Sequence, residues 1–402
     1  MTANQQSTSR RTTSQAAQDR LERRYRVDRR FKAYSVGALC VAITFLALFF
    51  TDIVLKALPG LKQAEIQLTY TYTDDVKFDP AGGVKDEALS DEFYSLVSRG
   101  WSRLLPQQLD DNPQLEGTTE TLWVLATDDV DQYLKGEYNQ LDEEERRLVD
   151  RLAEQGRAEL HFNTYLFTNG DSKIPEMAGL KSALVGSLYL VFLVFIFAFP
   201  LGVMTAVYLE EFAPENRLTN WIEVNINNLA AVPSIIFGLL GLAVFINFFG
   251  VPRSSALVGG LTIGIMTLPL IIIAARAALR AVPDAIRQGA LAVGASRWQM
   301  VKDHVLPLAL PGILTGTIIG MAVAIGETAP LLIIGMIAYI PEAPTSFTEA
   351  ATVLPAQIFT WAGMPERSYT GRTAAGILVL LAVMITMNAT AIYLRNRYTR
   401  RW

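Results

Sequence analysis

The sequence has very few of the residues from which disulfides and metal sites are built. Its 402 residues include one cysteine, Cys40, and two histidines, His161 and His304. A single cysteine excludes an intramolecular disulfide, and two distant histidines do not form a metal-binding cluster. The sequence also has no Gly-Lys pair, which excludes a nucleotide-binding P-loop. Since no nucleophile–base pair emerges either, we predict a protein that is not an enzyme and binds no cofactor itself.

Long apolar runs dominate the composition, in which 51% of the residues are hydrophobic. A helix that spans the hydrocarbon core of a membrane needs about 20 apolar residues. Six segments reach this length, at residues 34–58, 182–209, 226–249, 256–278, 312–339 and 373–394. The sequence therefore predicts an all-α polytopic membrane protein with six transmembrane helices.

Basic residues flank the first and the last of these runs. An arm at residues 1–33 is rich in arginine, and residues 395–402 are also strongly basic. Positive charge favours the cytoplasmic side, so we predict that both termini are cytoplasmic. The first run is too long, and its arm too extended, for a cleaved signal peptide. We expect the arm to contact membrane lipid and not nucleic acid.

A polar segment at residues 59–178 separates the first two runs from each other. It has 25 acidic and 11 basic residues, a net charge of −14, and the predicted topology places it outside the membrane. Residues 66–72 and 160–167 alternate like half-buried strands, and residues 141–153 have helical spacing. We predict a small α+β extracytoplasmic domain, followed by a membrane domain at residues 179–402. The acidic surface makes direct binding of an anion by the inserted domain unfavourable.

The loop at residues 280–307 lies on the predicted cytoplasmic side. Pro283-Asp284 suits the first turn of a helix, and Gly294 is expected to end that helix. Ser296 can cap a second helix, which Leu306-Pro307 is expected to end before the fifth span. A short helix with small side chains would fit a groove of a partner protein, but a plain interfacial loop explains the same composition.

This loop resembles the cytoplasmic coupling motif of ABC importer permeases, Glu-Ala-Ala-x3-Gly-x9-Ile-x-Leu-Pro. The positions that correspond to the motif are Gln288, Gly289, Ala290, Gly294, His304, Leu306 and Pro307. Gln288 stands in place of the glutamate, Gly289 in place of the first alanine, and His304 in place of the isoleucine. The resemblance implies that this loop docks on an ATPase subunit. It also implies that the loop transmits the closure of that subunit to the membrane helices.

Three further segments resemble one branch of these permeases, the PstA family of phosphate importers. They are residues 200–212, 229–242 and 324–332, and the likeness extends over residues 182–402. It implies the type I ABC importer permease fold, a place in the bacterial inner membrane, and import of inorganic phosphate. The implied partners are a second permease subunit, two ATPase subunits that hold ATP and magnesium, and a periplasmic phosphate-binding protein. The acidic segment resembles an extension that some members have after their first helix.

One acidic residue, Glu327, lies near the middle of the predicted fifth span, between Gly326 and Pro330. Acidic residues inside a membrane are costly and usually face a cavity or a partner. We predict that Glu327 and Thr328 line the translocation path, with Arg276 near its exit or paired with Glu327. The alternative is that Glu327 only holds helices together and never meets the substrate.

Two other functions fit the same residues. The chain could be an importer permease for another oxyanion or solute. It could also be a membrane sensor that displays the acidic domain without transporting anything, in which case the loop at residues 280–307 would have no ATPase partner.

Overall fold

The computed structural model describes residues 3–72 and 95–398, and the chain divides into two compact units, at residues 1–55 and 56–402. Helix α1 (Ala3–Gly60) includes the predicted arm as well as the first span. Its part from Arg23 to Gly60 is apolar and long enough to cross a membrane. The arm from Ala3 onward is therefore helical and continuous with the first span.

The inserted domain has a three-stranded antiparallel sheet with strand order β2-β1-β3. The strands are β1 (Lys62–Thr71), β2 (Thr119–Leu125) and β3 (Ala158–Phe162). The helices are α2 (Arg99–Ser102), α3 (Leu105–Asp111), α4 (Asp128–Leu134), α5 (Glu143–Glu154) and α6 (Tyr165–Thr168). The sheet and helices α2 to α5 enclose one core that includes Ile66, Tyr70 and Val149, which confirms the predicted α+β domain.

The predicted strand at residues 160–167 is too long. It ends at Phe162, and the Asn163 side chain accepts a hydrogen bond from the backbone N–H of Leu166, which begins the turn into α6. Alternation of apolar residues cannot distinguish these two continuations, because a single helical turn has too few residues to show its own period.

Ten helices follow in the described part of the membrane domain. They are α7 (Lys181–Val207), α8 (Arg217–Ala230), α9 (Ser234–Leu240), α10 (Ala256–Arg280), α11 (Asp284–Ala292), α12 (Arg297–Gln299), α13 (Leu306–Gly326), α14 (Ala329–Ile333), α15 (Leu354–Ala362) and α16 (Ser368–Tyr398). Wider π-helical turns extend α7 through Phe212, extend α9 through Phe248, and join α12 to α13.

Five helices of the described chain are long and apolar enough to cross a membrane, and a bent pair makes a sixth span if it is counted as one. The bent pair is α8 with α9, whose axes differ by 105° across a short break. The predicted continuous span at residues 226–249 is therefore wrong, because the chain turns at Pro233. The fold class is confirmed: the protein is a helical, multi-pass membrane protein with a small sheet in its insert.

Helix α10 lies at the centre of the membrane domain and packs closely on both α7 and α13. A Cβ atom on Gly316 would lie 2.2 Å from the Cβ of Ala274, and one on Gly202 would lie 2.7 Å from the Ile271 side chain. Small residues at such crossings let membrane helices approach closely, which is how helices associate where there is no water to exclude. Helix α10 is therefore tightly packed between α7 and α13.

A buried arginine joins the inserted domain to the last membrane helix. Arg372 of α16 is 2% exposed, and its Nη2 donates to the side-chain oxygen of Gln63 in β1 at 2.7 Å. Its Nη1 donates to the backbone carbonyl of Ala178, just before α7, at 3.1 Å. Nearby, Trp361 of α15 donates to the Asp171 carboxylate at 3.0 Å. The insert is thus bonded to the membrane domain and is not a domain on a flexible tether.

Replacing Arg372 with methionine is expected to destabilise the purified protein. Methionine fills much of the same volume but leaves two buried acceptors, on Gln63 and Ala178, without their donor, at about 1–3 kcal/mol each. Thermal unfolding in detergent should show a clearly lower Tm. The matched control is Arg367→Met, because Arg367 is exposed and, among the described residues, its side chain contacts only the Tyr138 ring, at 4.5 Å. Equal melting of the two variants would contradict the structural role of Arg372.

Candidate translocation and coupling site

The loop at residues 280–307 forms a helix–turn–helix, in agreement with its sequence signals. Helix α11 begins after Pro283, and the chain leaves it through Gly294, which has a φ of +93°. Residues other than glycine rarely adopt this backbone conformation. The Ser296 hydroxyl then accepts from the backbone N–H of Gln299, whose side chain in turn accepts from the Ser296 N–H, so α12 starts with a capping box.

The residues that correspond to the coupling motif differ in their exposure. Ala290 is buried at 7% exposure, whereas Gln288 and Gly289 are exposed. Three large apolar side chains also project from this loop into the surroundings: Leu291 is 44% exposed, Val293 85% and Trp298 60%. A cluster of exposed apolar side chains at a loop tip is typical of a protein-binding surface. Sequence reasoning overlooked these three residues, although they are apolar residues in a polar loop.

Leu306 and Pro307 do not end the second helix, so that prediction is wrong. The chain continues from α12 through the π-helical turns Met300–Val305 into α13 without a break. Pro307 lies in the first turn of α13, where the ring is tolerated because wider turns precede it. As a result, Arg297 to Gly326 is one helical rod of 30 residues, about 45 Å long at 1.5 Å per residue.

Glu327 lies at the far end of this rod. The predicted span at residues 312–339 is wrong at both ends, because the helix covers Leu306–Gly326. Helix α13 stops at Gly326, and Glu327 takes an extended conformation with φ −78° and ψ 120°. Thr328 precedes the short helix α14. Glu327 is half-exposed, and within residues 3–72 and 95–398 its carboxylate makes no hydrogen bond or ion pair. It therefore lies at a break in a membrane helix and not in the middle of one.

The break at Glu327 lies close to the break at Pro233. Helix α9, which follows Pro233, packs on α14, which follows Thr328. The contact is close, since a Cβ on Gly238 would lie 2.8 Å from the Cα of Pro330. Non-helical backbone at membrane depth is tolerated where it is buried in protein or lines a water-filled cavity. The two breaks thus bring non-helical backbone and the Glu327 carboxylate together between apolar helices.

The predicted pairing of Arg276 with Glu327 is wrong, because Arg276 has other partners. Its Nη2 donates to Glu223 of α8 at 2.5 Å, and its Nε donates to Glu210 at 3.3 Å. Arg280, four residues later on the same face of α10, donates to Glu210 at 2.8 Å. Both arginines thus belong to an ion-pair cluster at the end of α10 that adjoins the coupling loop.

A further ion pair, separate from this cluster, joins α11 to the end of α7. Arg287 donates to Glu211 from Nη2 at 2.8 Å and from Nε at 3.2 Å, and the Glu211 side chain is only 4% exposed. Arg287 also donates to the backbone carbonyls of Leu279 and Val282, at 2.9 Å and 2.6 Å. Because the guanidinium bridges three segments at once, it fixes the angle at which α11 leaves α10.

Comparisons with known proteins assign the membrane domain to a family. Residues 198–400 match the family described as the binding-protein-dependent transport system inner membrane component. The chain belongs to this family. It is therefore an inner-membrane permease subunit, which is a non-catalytic component of such importers. Residues 18–91 and 81–144 match a domain of unknown function, DUF3333.

Individual relatives of the permease extend this result. It is 33% identical over 230 residues to the phosphate transport system permease protein PstA 1 of Mycobacterium tuberculosis (strain CDC 1551 / Oshkosh), covering 57% of this chain and 75% of that protein. It is 35% identical over 178 residues to the probable ABC transporter permease protein YqgI of Bacillus subtilis (strain 168), covering 44% of this chain and 59% of that protein. A structure of the inward-facing MetNI methionine ABC transporter aligns with 55% of this chain and 95% of that chain, with 17% identity and a TM-score of 0.42.

Proposed function

We propose that the permease is a subunit of an ATP-driven importer of inorganic phosphate. The observation that carries the substrate assignment is the 33% identity to a phosphate transport system permease protein over three quarters of its length. In this proposal one chain provides half of the path and a second, homologous permease subunit provides the other half. A periplasmic phosphate-binding protein delivers the substrate, and the insert stands on that side of the membrane, with both chain termini in the cytoplasm.

The coupling loop is proposed to dock on an ATPase subunit, of which the complex holds two. The apolar contacts come from Leu291, Val293 and Trp298. The exposed Gln288 and Gly289 belong to the same docking surface, and the buried Ala290 packs beneath it. ATP and magnesium are held by the ATPase subunits and not by this chain. When the ATPases close on ATP, the rod from Arg297 to Gly326 carries the displacement from the loop to Glu327.

Glu327 and Thr328 are proposed to line the translocation path. Their support is the pair of helix breaks, where backbone polar groups and one carboxylate meet among apolar helices. The path switches access when α13 and α14 change their angle at Glu327, since the extended residue between them acts as a hinge. Arg276 and Arg280 mark the cytoplasmic end of this path.

The substrate assignment is tested by competition. Cells that depend on this permease are starved of phosphate and given radiolabelled phosphate with a hundredfold excess of unlabelled sulfate, molybdate or phosphate. Only unlabelled phosphate is expected to suppress uptake. Suppression by sulfate or molybdate would assign the permease to another oxyanion. Absence of any uptake that depends on the permease, with no ATPase bound to it, would favour the sensor.

A further inference from the structure

The ion pairs beside the coupling loop form a continuous chain from α11 to the broken helix of the path. Arg287 of α11 is bonded to Glu211, and the adjacent Glu210 is bonded to Arg276 of α10. Arg276 is bonded in turn to Glu223 of α8. Glu210 and Glu211 both lie in the last π-helical turn of α7, so this turn holds the coupling helix on one side and α8 on the other.

Most side chains in this series of ion pairs are shielded from solvent. The exposed fractions of the side chains are 4% for Glu211, 12% for Arg276, 16% for Glu210, 17% for Arg287 and 31% for Glu223. Charged hydrogen bonds are stronger where water cannot compete, and losing one partner leaves the other charge buried without compensation. Glu210 and Glu211 therefore stabilise this turn through shielded ion pairs, whereas acidic residues of a fully solvated loop would form weak ion pairs.

Helix α8 has few buried contacts besides this link in the described part of the chain. None of its residues is fully buried, and it packs on α10 through a few apolar side chains such as Ile222 and Ile226. Within residues 3–72 and 95–398, Glu223–Arg276 is the only ion pair that α8 makes. Seven residues after Glu223, α8 ends at the break that bends the chain by 105° into α9. A displacement of Glu223 therefore reorients the helix that leads into the path.

We propose that the ion-pair chain Arg287–Glu211/Glu210–Arg276–Glu223 is a second mechanical link, which sets the position of α8 according to the position of the coupling helix. The first link, the rod of α12 and α13, moves the Glu327 side of the path. The second link moves the Pro233 side. Since α9 and α14 pack on each other, the two sides must move together for access to switch, and Glu223 and Arg276 are positioning residues for that movement. This inference rests on the proposed function as an importer.

The test uses the complete transporter, reconstituted in proteoliposomes with its ATPase and binding protein, and measures phosphate transported per ATP hydrolysed. Glu223→Gln is expected to lower this ratio by about tenfold, because it removes the charge of the acceptor and leaves only a weaker hydrogen bond from Arg276 to a neutral amide oxygen. ATPase association and ATP hydrolysis should persist, since the coupling loop is unchanged. Arg276→Met should lower the ratio similarly. The matched control is Glu215→Gln, because Glu215 is exposed in the same acidic loop and forms none of the ion pairs.

The ratio separates positioning from a loss of folding, since a misfolded fraction lowers transport and hydrolysis together and leaves the ratio unchanged. A wild-type ratio in Glu223→Gln would overturn the proposal, and so would an equal loss in Glu215→Gln. Failure of the proposed function is distinct from both results, because the wild-type complex itself would then transport no phosphate.

Discussion

Replacing Gly294 with valine is expected to abolish ATP-dependent uptake and to release the ATPase subunit from the permease. At a φ of +93°, a β-branched side chain costs about 2 kcal/mol or more, so the turn between α11 and α12 must change its conformation. Val293 and Trp298 stand on either side of this turn and would lose their relative placement. No atom outside the turn lies within 4 Å of a Cβ added at Gly294, so the effect comes from the backbone and not from a clash in the core.

The matched control is Gly250→Val. Gly250 also has a positive φ, +67°, with no atom within 4 Å of an added Cβ. It lies before α10, whereas Gly294 lies beyond the other end of α10, about 37 Å away along a 25-residue helix. Both variants are compared at equal membrane levels by co-purification of the ATPase and by phosphate uptake. Retention of the ATPase by the Gly294 variant would refute the coupling role of this turn.

Replacing Glu327 with glutamine is expected to reduce phosphate uptake at least about tenfold while the complex stays assembled. Glutamine keeps the size of the side chain but can neither carry its charge nor release a proton. A hydrogen bond that involves a charged group contributes about 1.5–3 kcal/mol, and 1.4 kcal/mol corresponds to a factor of ten. The half-exposed carboxylate has no hydrogen-bonding or ionic partner in the described chain, so its replacement leaves no bonded partner in this chain unsatisfied.

Glu342→Gln is the control for this experiment. Glu342 is exposed in the segment that follows the break, outside every helix, and has no ion pair among the described residues. Uptake of labelled phosphate and co-purification of the ATPase are measured for both variants in parallel. If Glu327→Gln transports as well as Glu342→Gln does, then Glu327 holds the helices in place and does not take part in transport.

Features that depend on neighbouring residues were predictable from the sequence. The spans at residues 182–209 and 256–278 agree closely with α7 and α10, because an apolar run of this length has few alternatives to a membrane helix. Helix α11 was also predictable, since Pro283, Gly294 and Ser296 each affect only the backbone of their immediate neighbours. Such signals need no knowledge of what lies across the bundle.

The breaks at Pro233 and Glu327 were harder to predict from hydropathy. Apolar residues continue on both sides of each break, so a window of about 20 residues averages across it. Gly326 and Pro330 indicated that a break was permitted, but they did not show that α13 ends there and that the chain turns. What favours the break is the packing of α14 on α9, which joins residues about 90 positions apart in the sequence.

The ion-pair chain could not be predicted from spacing, since its partners are separated by between 53 and 76 residues. The sequence did contain an indirect signal. With both termini cytoplasmic and six spans, the loop after the span at residues 182–209 is predicted to be cytoplasmic, and it contains Glu210 and Glu211. Arg276, Arg280 and Arg287 lie at the end of the span at residues 256–278 and in the loop that follows it, on the same side of the membrane. An excess of both charges at one depth indicates pairing, but the choice of partners depends on how α7 packs against α10.

This permease is proposed to couple ATP hydrolysis to phosphate import. The most direct measurement is the accumulation of labelled phosphate in proteoliposomes that contain the purified permease, its partner permease, the ATPase and the binding protein. We expect accumulation against a gradient that requires ATP and Mg²⁺ and disappears when this chain is left out or carries Gly294→Val. ATP-dependent accumulation that is the same without this chain, or no accumulation from the complete and assembled complex, would contradict this coupling.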